Sequence, residues 1–266
     1  MKIATTEIPP LAYDDRGAGC PVLLIHGLTF DRRSWRPVID ALDGSLRTIA
    51  VDMPAHGQSA GPPASAEGIA RRISSLLDDL EIVNPIVVGH SYGAAVAAVY
   101  AAGHPASGLV MIDSGPAIQS FAELAQRVAP KLRGPEFAAT WQMFESSLGL
   151  ERIPEPSQAL VRAAHRVEQD VVLGYWHQML VTPPADFQSW IDSEFAKIDR
   201  PVLAIFGSTT PDADRERLGR LRDVRIEEHP GEGHFVHLVD PARTASSLRG
   251  FVGHCMKRTT DDLNQA

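Results

Sequence analysis

The sequence predicts an α/β protein in which a mostly parallel, twisted sheet carries helices on both faces and a helical insert interrupts the alternation. Three observations predict this class. Short apolar runs alternate with longer segments whose apolar residues follow helical spacing. Most of the runs lack polar alternation, which is typical of strands buried on both faces of a parallel sheet. Between about residues 116 and 197 the strand signal disappears and helical spacing takes over.

Six apolar runs are predicted to be strands. They are VLLIH (22–26), LRTIAVD (46–52), PIVVGH (85–90), GLVMID (108–113), PVLAIFG (201–207) and VRIEEH (224–229). Four segments with helical spacing lie between or after them, at about 34–43, 65–81, 92–103 and 241–256. The second helix is expected to begin after Ser65, with Glu67 in its first turn. Alternation of this kind predicts a parallel sheet covered by helices on both sides.

The long helical stretch is predicted to form a cap over the sheet. Residues 1–115 and 198–258 are assigned to the core, 116–197 to the cap, and 259–266 to a flexible tail. The cap segment contains three of the four tryptophans, Trp141, Trp176 and Trp190. Such a composition would suit either an apolar roof over a pocket or a helical layer that only packs.

The composition limits which cellular compartment and which classes of binding partner are expected. The net charge is −8, with 33 acidic against 25 basic residues, which argues against a nucleic-acid partner because phosphate binding needs a concentrated basic face. Cys20 and Cys255 are the only cysteines, and neither belongs to a CxxC pair. The N-terminal residues lack the apolar stretch of a secretory signal, and no window approaches roughly 18 uninterrupted apolar residues. We therefore expect a soluble, cytoplasmic protein that has no membrane partner.

One short motif points to a nucleophile. The stretch PIVVGHSYGAAV contains Gly89-His90-Ser91-Tyr92-Gly93, which fits G-x-S-x-G directly after a predicted strand and directly before a predicted helix. In that context the motif predicts a strained turn that presents the Ser91 hydroxyl at the carboxyl edge of the sheet. The two glycines are needed because neighbouring backbone crowds their positions. The start of the following helix adds free N–H groups and partial positive charge near any developing anion.

A serine nucleophile needs a general base, and ten histidines compete for the role. His234 follows the last predicted strand and precedes the last predicted helix, so it is expected on a loop at the edge of the sheet. His26 is expected to shape its own loop, and His90 to face away from the nucleophile. His234 and His237 form H-x-x-H, but the chain has neither HExxH nor a cysteine cluster nearby, so no metal site is predicted. His234 is the candidate base.

Four ordered motifs make the chain resemble the α/β-hydrolase superfamily, in its serine-nucleophile, lid-containing esterase and lactonase branch. They are HGLTFDRRSW (26–35), DMPAHGQS (52–59), GHSYG (89–93) and GEGHFVHLVDP (231–241). The resemblance implies an α/β-hydrolase fold, with Ser91 as nucleophile and His234 as general base. It also implies an oxyanion hole made by the backbone N–H groups of Leu28 and Tyr92. The order of serine before histidine agrees with the superfamily.

The third member of the triad departs from the pattern of the superfamily. The resemblance places an acid three residues after Gly207, where this chain has Thr210, and threonine cannot hold a carboxylate's charge. Asp212, slightly further along the same loop, and Asp113, at the end of a predicted strand, are the alternatives. Asp113 is favoured because a strand end fixes a carboxylate better than a loop rich in Thr, Pro and Asp.

These residues predict cleavage of a carboxylic ester or lactone of a small hydrophobic substrate through an acyl-enzyme, with no cofactor. Trp141 and Trp176 are the predicted substrate-binding residues. Four further cap side chains are candidates for an apolar roof, and only one or two of the whole set are expected to face the pocket; the four are Phe137, Phe144, Met179 and Trp190. A carbon–carbon bond hydrolase and a cofactor-free oxygenase or perhydrolase would use the same triad. The alternative hypothesis of a non-catalytic ligand-binding protein would need an incomplete triad, and only Thr210 at the expected acid position supports it.

Overall fold

A computed structural model describes residues 9–155 and 157–265, with the backbone alone at 259–265. In that part of the chain seven strands form one sheet, in the order β1-β3-β2-β4-β5-β6-β7. All neighbours are parallel except β1 and β3, which are antiparallel. The predicted mostly parallel sheet is therefore confirmed. The strands are β1 (Tyr13–Arg16), β2 (Pro21–Ile25), β3 (Arg47–Val51), β4 (Ile86–His90), β5 (Gly108–Ile112), β6 (Val202–Phe206) and β7 (Val224–Glu228).

The first strand was not predicted, because β1 reads YDDR and has no apolar run. It pairs only with β3, at the edge of the sheet, and three of its four residues are exposed. An edge strand with one hydrogen-bonded neighbour needs no apolar side chains on two faces, so its sequence carries no strand signal of the kind seen in the interior.

Twelve α-helices are present in the described part of the chain. The Ser65 hydroxyl accepts a hydrogen bond from the Gly68 N–H at the start of the second helix. The helices are α1 (Arg36–Leu42), α2 (Ala66–Asp79), α3 (Tyr92–Gly103), α4 (Gln119–Arg133), α5 (Phe137–Ser146), α6 (Ser157–Ala164), α7 (Gln169–Tyr175), α8 (His177–Val181), α9 (Pro184–Phe195), α10 (Asp212–Leu218), α11 (Val236–Val239) and α12 (Pro241–Gln265). None of those described is long and apolar enough to cross a lipid bilayer.

Six helices, α4 to α9, lie between β5 and β6, where the helical insert was predicted. Two other segments differ from expectation. Helix α10 occupies a stretch expected to be a loop; it begins after Pro211, with two aspartates in its first turn. Helix α12 continues past residue 256, so the tail predicted at 259–266 coincides with residues whose side chains lie outside the described part, and residue 266 is not described at all.

Alternate strand residues pack on opposite faces of the sheet, and helices cover both. In β2, Leu23 and Ile25 belong to the apolar cluster that includes α2 and α3. Val22 and Leu24 belong to a second cluster, which includes α1 and α12. Because both faces are buried, both sets of alternating residues must be apolar, which explains the lack of polar alternation in the interior strands. The predicted covering of both faces by helices is confirmed.

Two glycines allow three backbone segments to meet where β4 turns into α3. A Cβ atom on Gly89 would lie 2.1 Å from the carbonyl oxygen of Gly93, and one on Gly93 would lie 2.4 Å from the carbonyl oxygens of His26 and Ile25. Between the glycines, Ser91 has φ 55° and ψ −122°, a conformation that costs an L-residue conformational energy. The surrounding backbone therefore holds Ser91 in a turn that the residue would not adopt alone.

We expect Gly93→Ala to lower the free energy of unfolding by at least about 2 kcal/mol, because the added methyl group would overlap two fixed carbonyl oxygens. Urea unfolding followed by circular dichroism measures the change. Gly103→Ala is the matched control, since Gly103 belongs to the same helix and a Cβ there meets nothing within 4 Å. Equal effects of the two substitutions would contradict the close approach at Gly93.

Candidate active site

A cavity of about 350 Å³ lies between the carboxyl ends of the central strands and the helical insert. Three strand-end segments contribute to its lining: 27–30 after β2, 90–92 at the end of β4, and 113–115 after β5. Residues of α4, α5, α7, α8 and α9 line it from the insert. The carboxyl edge of a parallel sheet is where α/β proteins usually bind ligands, because the loops that follow the strands converge there.

Ser91, His234 and Asp113 come together at this edge. Ser91 and His234 both line the cavity. His234 Nδ1 donates a hydrogen bond to Asp113 Oδ2 over 2.8 Å, and Asp113 Oδ1 accepts one from the Gly207 N–H at 2.9 Å. Because Nδ1 carries the proton in this pair, Nε2 keeps its lone pair and can accept a proton. Asp212, the alternative acid, is an exposed residue in the first turn of α10.

The surroundings of Asp113 favour its ionised form. Burial raises the pKa of this carboxyl, but the hydrogen bond and the charge interaction with His234, and the hydrogen bond from Gly207, outweigh burial and bring the pKa below its usual value. The Asp113 N–H also donates to the Ile205 carbonyl at 2.8 Å, which fixes the residue to the neighbouring strand. A fixed, ionised carboxylate can orient an imidazole and stabilise its protonated form.

Leu28 and Tyr92, the predicted oxyanion-hole residues, line the same cavity as Ser91. Tyr92 is the first residue of α3, so its backbone N–H has no acceptor within the helix. A Cβ atom on Gly27 would lie 3.3 Å from the Ser91 Cβ, so the loop that carries Leu28 runs directly beside Ser91.

Two buried histidines hold this loop in place. His26 Nδ1 donates to the Gly27 carbonyl at 2.8 Å, and its Nε2 accepts from the Met53 N–H at 3.0 Å. His56 Nε2 accepts from the Thr29 N–H at 3.2 Å. Burial lowers the pKa of His26 to about 3 and that of His56 below its usual value, so both rings are neutral near pH 7. His26 shapes its loop, as expected. The sequence did not predict that His56 would hold the same loop.

His90 contacts His234 and lines the cavity, and the expectation that it faces away from Ser91 stays a prediction. Its Nε2 donates to the His234 carbonyl at 2.8 Å, and the centroids of the two rings are 4.6 Å apart. Burial, followed by the charges of His237 and His234, holds the pKa of His90 well below its usual value. A neutral His90 therefore ties the loop of the base to the end of β4. The motif did not indicate this, because a side-chain direction at a strand end depends on the packed loop beside it.

His237, the second histidine of the H-x-x-H pair, is 1% exposed and packs its ring against Trp35 and His90, at centroid distances of 5.0 and 4.3 Å. Burial lowers its pKa to about 3. Among the side chains described at 9–155 and 157–258, no group of three or more His, Cys, Asp or Glu is placed as a set of metal ligands.

The insert gives the cavity an aromatic wall. Both predicted substrate-binding residues, Trp141 and Trp176, line it, and their ring centroids are 5.4 Å apart. Phe144, Met179 and Trp190 line it too, whereas Phe137 stacks on Trp141 and is not part of the lining. The expectation that only one or two of these six would face the pocket was wrong, because several insert helices turn their apolar faces to the same space.

Comparison with known proteins identifies related chains. A family model described as "Alpha/beta hydrolase family" matches residues 22–247. The chain is similar to 2-(acetamidomethylene)succinate hydrolase of Mesorhizobium japonicum, at 28% identity over 256 residues that cover 90% of each chain. Among solved structures it is similar to a hydrolase from Pseudomonas aeruginosa PA01, with a TM-score of 0.76, 22% identity, and coverage of 94% of this chain and 97% of the other. It is also similar to the enol-lactonase from Burkholderia xenovorans LB400, with a TM-score of 0.70, 22% identity, and coverage of 91% of this chain and 96% of the other.

Replacing a buried neutral histidine should change how stability depends on pH. Unfolded histidine binds a proton below about pH 6.5, whereas folded His237 resists one down to about 3, so its presence removes stability as the pH falls through that interval. We expect the loss of unfolding free energy between about pH 7 and pH 5 to be about 2 kcal/mol smaller in His237→Phe than in the wild type. Urea unfolding at both pH values measures it, and an unchanged loss would contradict a neutral, buried His237.

Proposed function

The chain belongs to the α/β-hydrolase family, and we propose that it is a serine hydrolase that cleaves a carboxylic ester or lactone of a small hydrophobic molecule through an acyl-enzyme. One observation carries the proposal: Ser91 and His234 line one cavity, while Asp113 is hydrogen bonded to the far nitrogen of His234. A nucleophile, a base and a group that orients the base are the parts that such a reaction needs. The solved structures with the same fold include esterases and lactonases.

In the proposed acylation step, His234 Nε2 accepts the proton of the Ser91 hydroxyl as Oγ attacks the carbonyl carbon of the substrate. Asp113 stabilises the imidazolium that forms, through its hydrogen bond to Nδ1. The backbone N–H groups of Leu28 and Tyr92 donate to the oxyanion, and each such donor lowers a barrier by about 3 kcal/mol. The protonated His234 then gives its proton to the departing alkoxide.

Deacylation uses the same groups in the opposite order. His234 Nε2 accepts a proton from a water molecule, whose oxygen attacks the acyl carbon. As the second tetrahedral intermediate breaks its bond to Ser91 Oγ, His234 returns the proton to Oγ and the carboxylic acid is released. With a lactone the alcohol is part of the acyl chain, so one hydroxy acid is released. Apart from the substrate and water, both steps use only groups of the chain.

The walls of the cavity support a small, hydrophobic substrate. The cavity volume of about 350 Å³ falls in the range of small-molecule sites, and aromatic side chains such as Trp141 and Trp176 form much of the wall that the insert contributes. The relative from Mesorhizobium japonicum is named for a succinate, a dicarboxylic acid. For this chain we propose an uncharged substrate, because apolar walls cannot replace the hydration of carboxylates.

A serine-directed organophosphate should add once to the folded protein, and intact-mass measurement should show one adduct. Ser91→Ala should abolish it, because the reactive hydroxyl is then missing. Ser147→Ala is the matched control: Ser147 also lines the cavity, but its hydroxyl donates to the Phe144 carbonyl, so the adduct should persist. An unmodified wild type, or a modified Ser91→Ala protein, would contradict the acyl-enzyme proposal.

The two candidate acids should differ strongly in their effect on rate. Asp113→Ala should lower kcat for p-nitrophenyl esters by roughly 10³- to 10⁴-fold, because the imidazole loses its orienting partner. Asp212→Ala should leave kcat within a few-fold of the wild type, because Asp212 is exposed on α10. Circular dichroism of each variant provides the control for folding. The opposite ranking in folded variants would overturn the assignment of Asp113.

A further inference from the structure

One face of α9 borders the cavity and carries a single carboxylate. The residues that α9 contributes to the lining follow helical spacing, so they form one stripe. Four are apolar and the fifth is acidic; they are Phe187, Trp190, Ile191, Glu194 and Phe195. The Glu194 side chain is only 16% exposed. A carboxylate in an otherwise apolar stripe has no packing role that leucine or methionine would not fill better, so its charge calls for a functional explanation.

We propose that Glu194 is a specificity-determining residue that excludes substrates bearing a carboxylate, so that the enzyme acts on esters or lactones whose acyl and alcohol parts are both uncharged. This inference rests on the proposed serine-hydrolase function. It adds to that function the residue that selects the charge of the substrate.

Lys197, the ion-pair partner of Glu194, does not cancel the negative charge that Glu194 presents to the cavity. Lys197 Nζ lies 2.5 Å from Glu194 Oε1, but the Lys197 side chain is 55% exposed and is not part of the cavity lining. The ammonium group is therefore hydrated and screened by salt, whereas the carboxylate is mostly shielded from solvent. An anion inside the cavity would meet the carboxylate at closer range and in a less polar medium than it would meet the ammonium group.

The remaining lining reinforces the effect. The ionised Asp113 adds a second carboxylate next to the base, and its positive partner forms only when His234 is protonated during the reaction. The faces of the aromatic rings of the insert, Trp141 and Trp176 among them, carry partial negative charge. Among the described residues that line the cavity, none is lysine or arginine. A substrate carboxylate would lose its hydration there and gain like-charge neighbours.

A pair of matched esters tests the proposal. The acyl donors are the mono-p-nitrophenyl ester of adipic acid, which carries a free carboxylate, and its methyl-capped form, which is neutral and similar in size. The measured quantity is the ratio of kcat/KM for the neutral ester to kcat/KM for the anionic ester, at constant pH and ionic strength. For the wild type we expect a ratio of roughly 10 to 100, the size of effect that one like-charge contact gives at the effective dielectric of a protein.

Two variants should move this ratio in opposite directions. Glu194→Gln should lower it by about tenfold, because the repulsive charge is removed while the side-chain shape is kept. Lys197→Met should raise it several-fold, because Glu194 then lacks its compensating charge. Glu136→Gln is the matched control: Glu136 belongs to another glutamate–lysine pair of the insert, with Lys131, in which both side chains are more than half exposed. This variant should keep the wild-type ratio.

The outcomes separate the two proposals. If the wild type hydrolyses neither ester faster than Ser91→Ala does, the serine-hydrolase proposal fails and this inference falls with it. If the neutral ester is hydrolysed and the wild-type ratio is near 1, or if Glu194→Gln keeps the wild-type ratio, only the role of Glu194 is overturned. Movement of the ratio in both expected directions supports the exclusion of carboxylates by Glu194.

Discussion

The close approach of three backbone segments around Ser91 is the constraint on which the rest of the site depends. Gly89 and Gly93 let the end of β4 and the start of α3 come within contact distance, and Gly93 in turn touches the carbonyl oxygens at the end of β2. Because the strand ends are parallel neighbours, this contact brings the loop of Leu28 beside the hydroxyl of Ser91. The strained conformation of Ser91 is therefore the consequence of packing these three segments together, and in the proposed mechanism the same packing assembles the nucleophile and two N–H donors.

The electrostatic surroundings of the histidines give them different roles. Four of the five near this edge are buried with a lowered pKa, and serve as neutral groups that bond or pack against backbone and rings; they are His26, His56, His90 and His237. Only His234 faces an ionised carboxylate through one ring nitrogen while it lines the cavity. The neutral histidines fix the loops, and in the proposed mechanism the carboxylate of Asp113 prepares His234 to carry a proton. Environments that separate titratable groups in this way are how active sites assign an acid or base role.

Much of the fold could be predicted from the sequence, because many of the residues that determine it act on their immediate neighbours in the chain. The apolar runs of the interior strands, the capping serine of α2 and the glycines around Ser91 each report a constraint that acts within a few residues. The strand β1, the helix α10, the direction of His90 and the number of aromatic side chains facing the cavity depend instead on contacts between distant segments. His90, for example, binds a carbonyl 144 positions away in the chain. Spacing within a motif holds no information about such a partner.

The position of Asp113 shows how two adjacent strands can offer a carboxylate to the same histidine. Asp113 follows β5, whereas the expected acid would follow β6, and these strands are parallel neighbours. The bonds between the Asp113 N–H and Ile205, and between its carboxylate and the Gly207 N–H, place the end of β5 against the loop after β6. Thr210, at the expected position, uses its own N–H to bind Glu228. What the base requires is a carboxylate oxygen 2.8 Å from Nδ1, held by fixed backbone. The end of β5 meets that requirement here, so the geometry supports Asp113 as the acid in the proposed mechanism although Thr210 occupies the position expected from the motif.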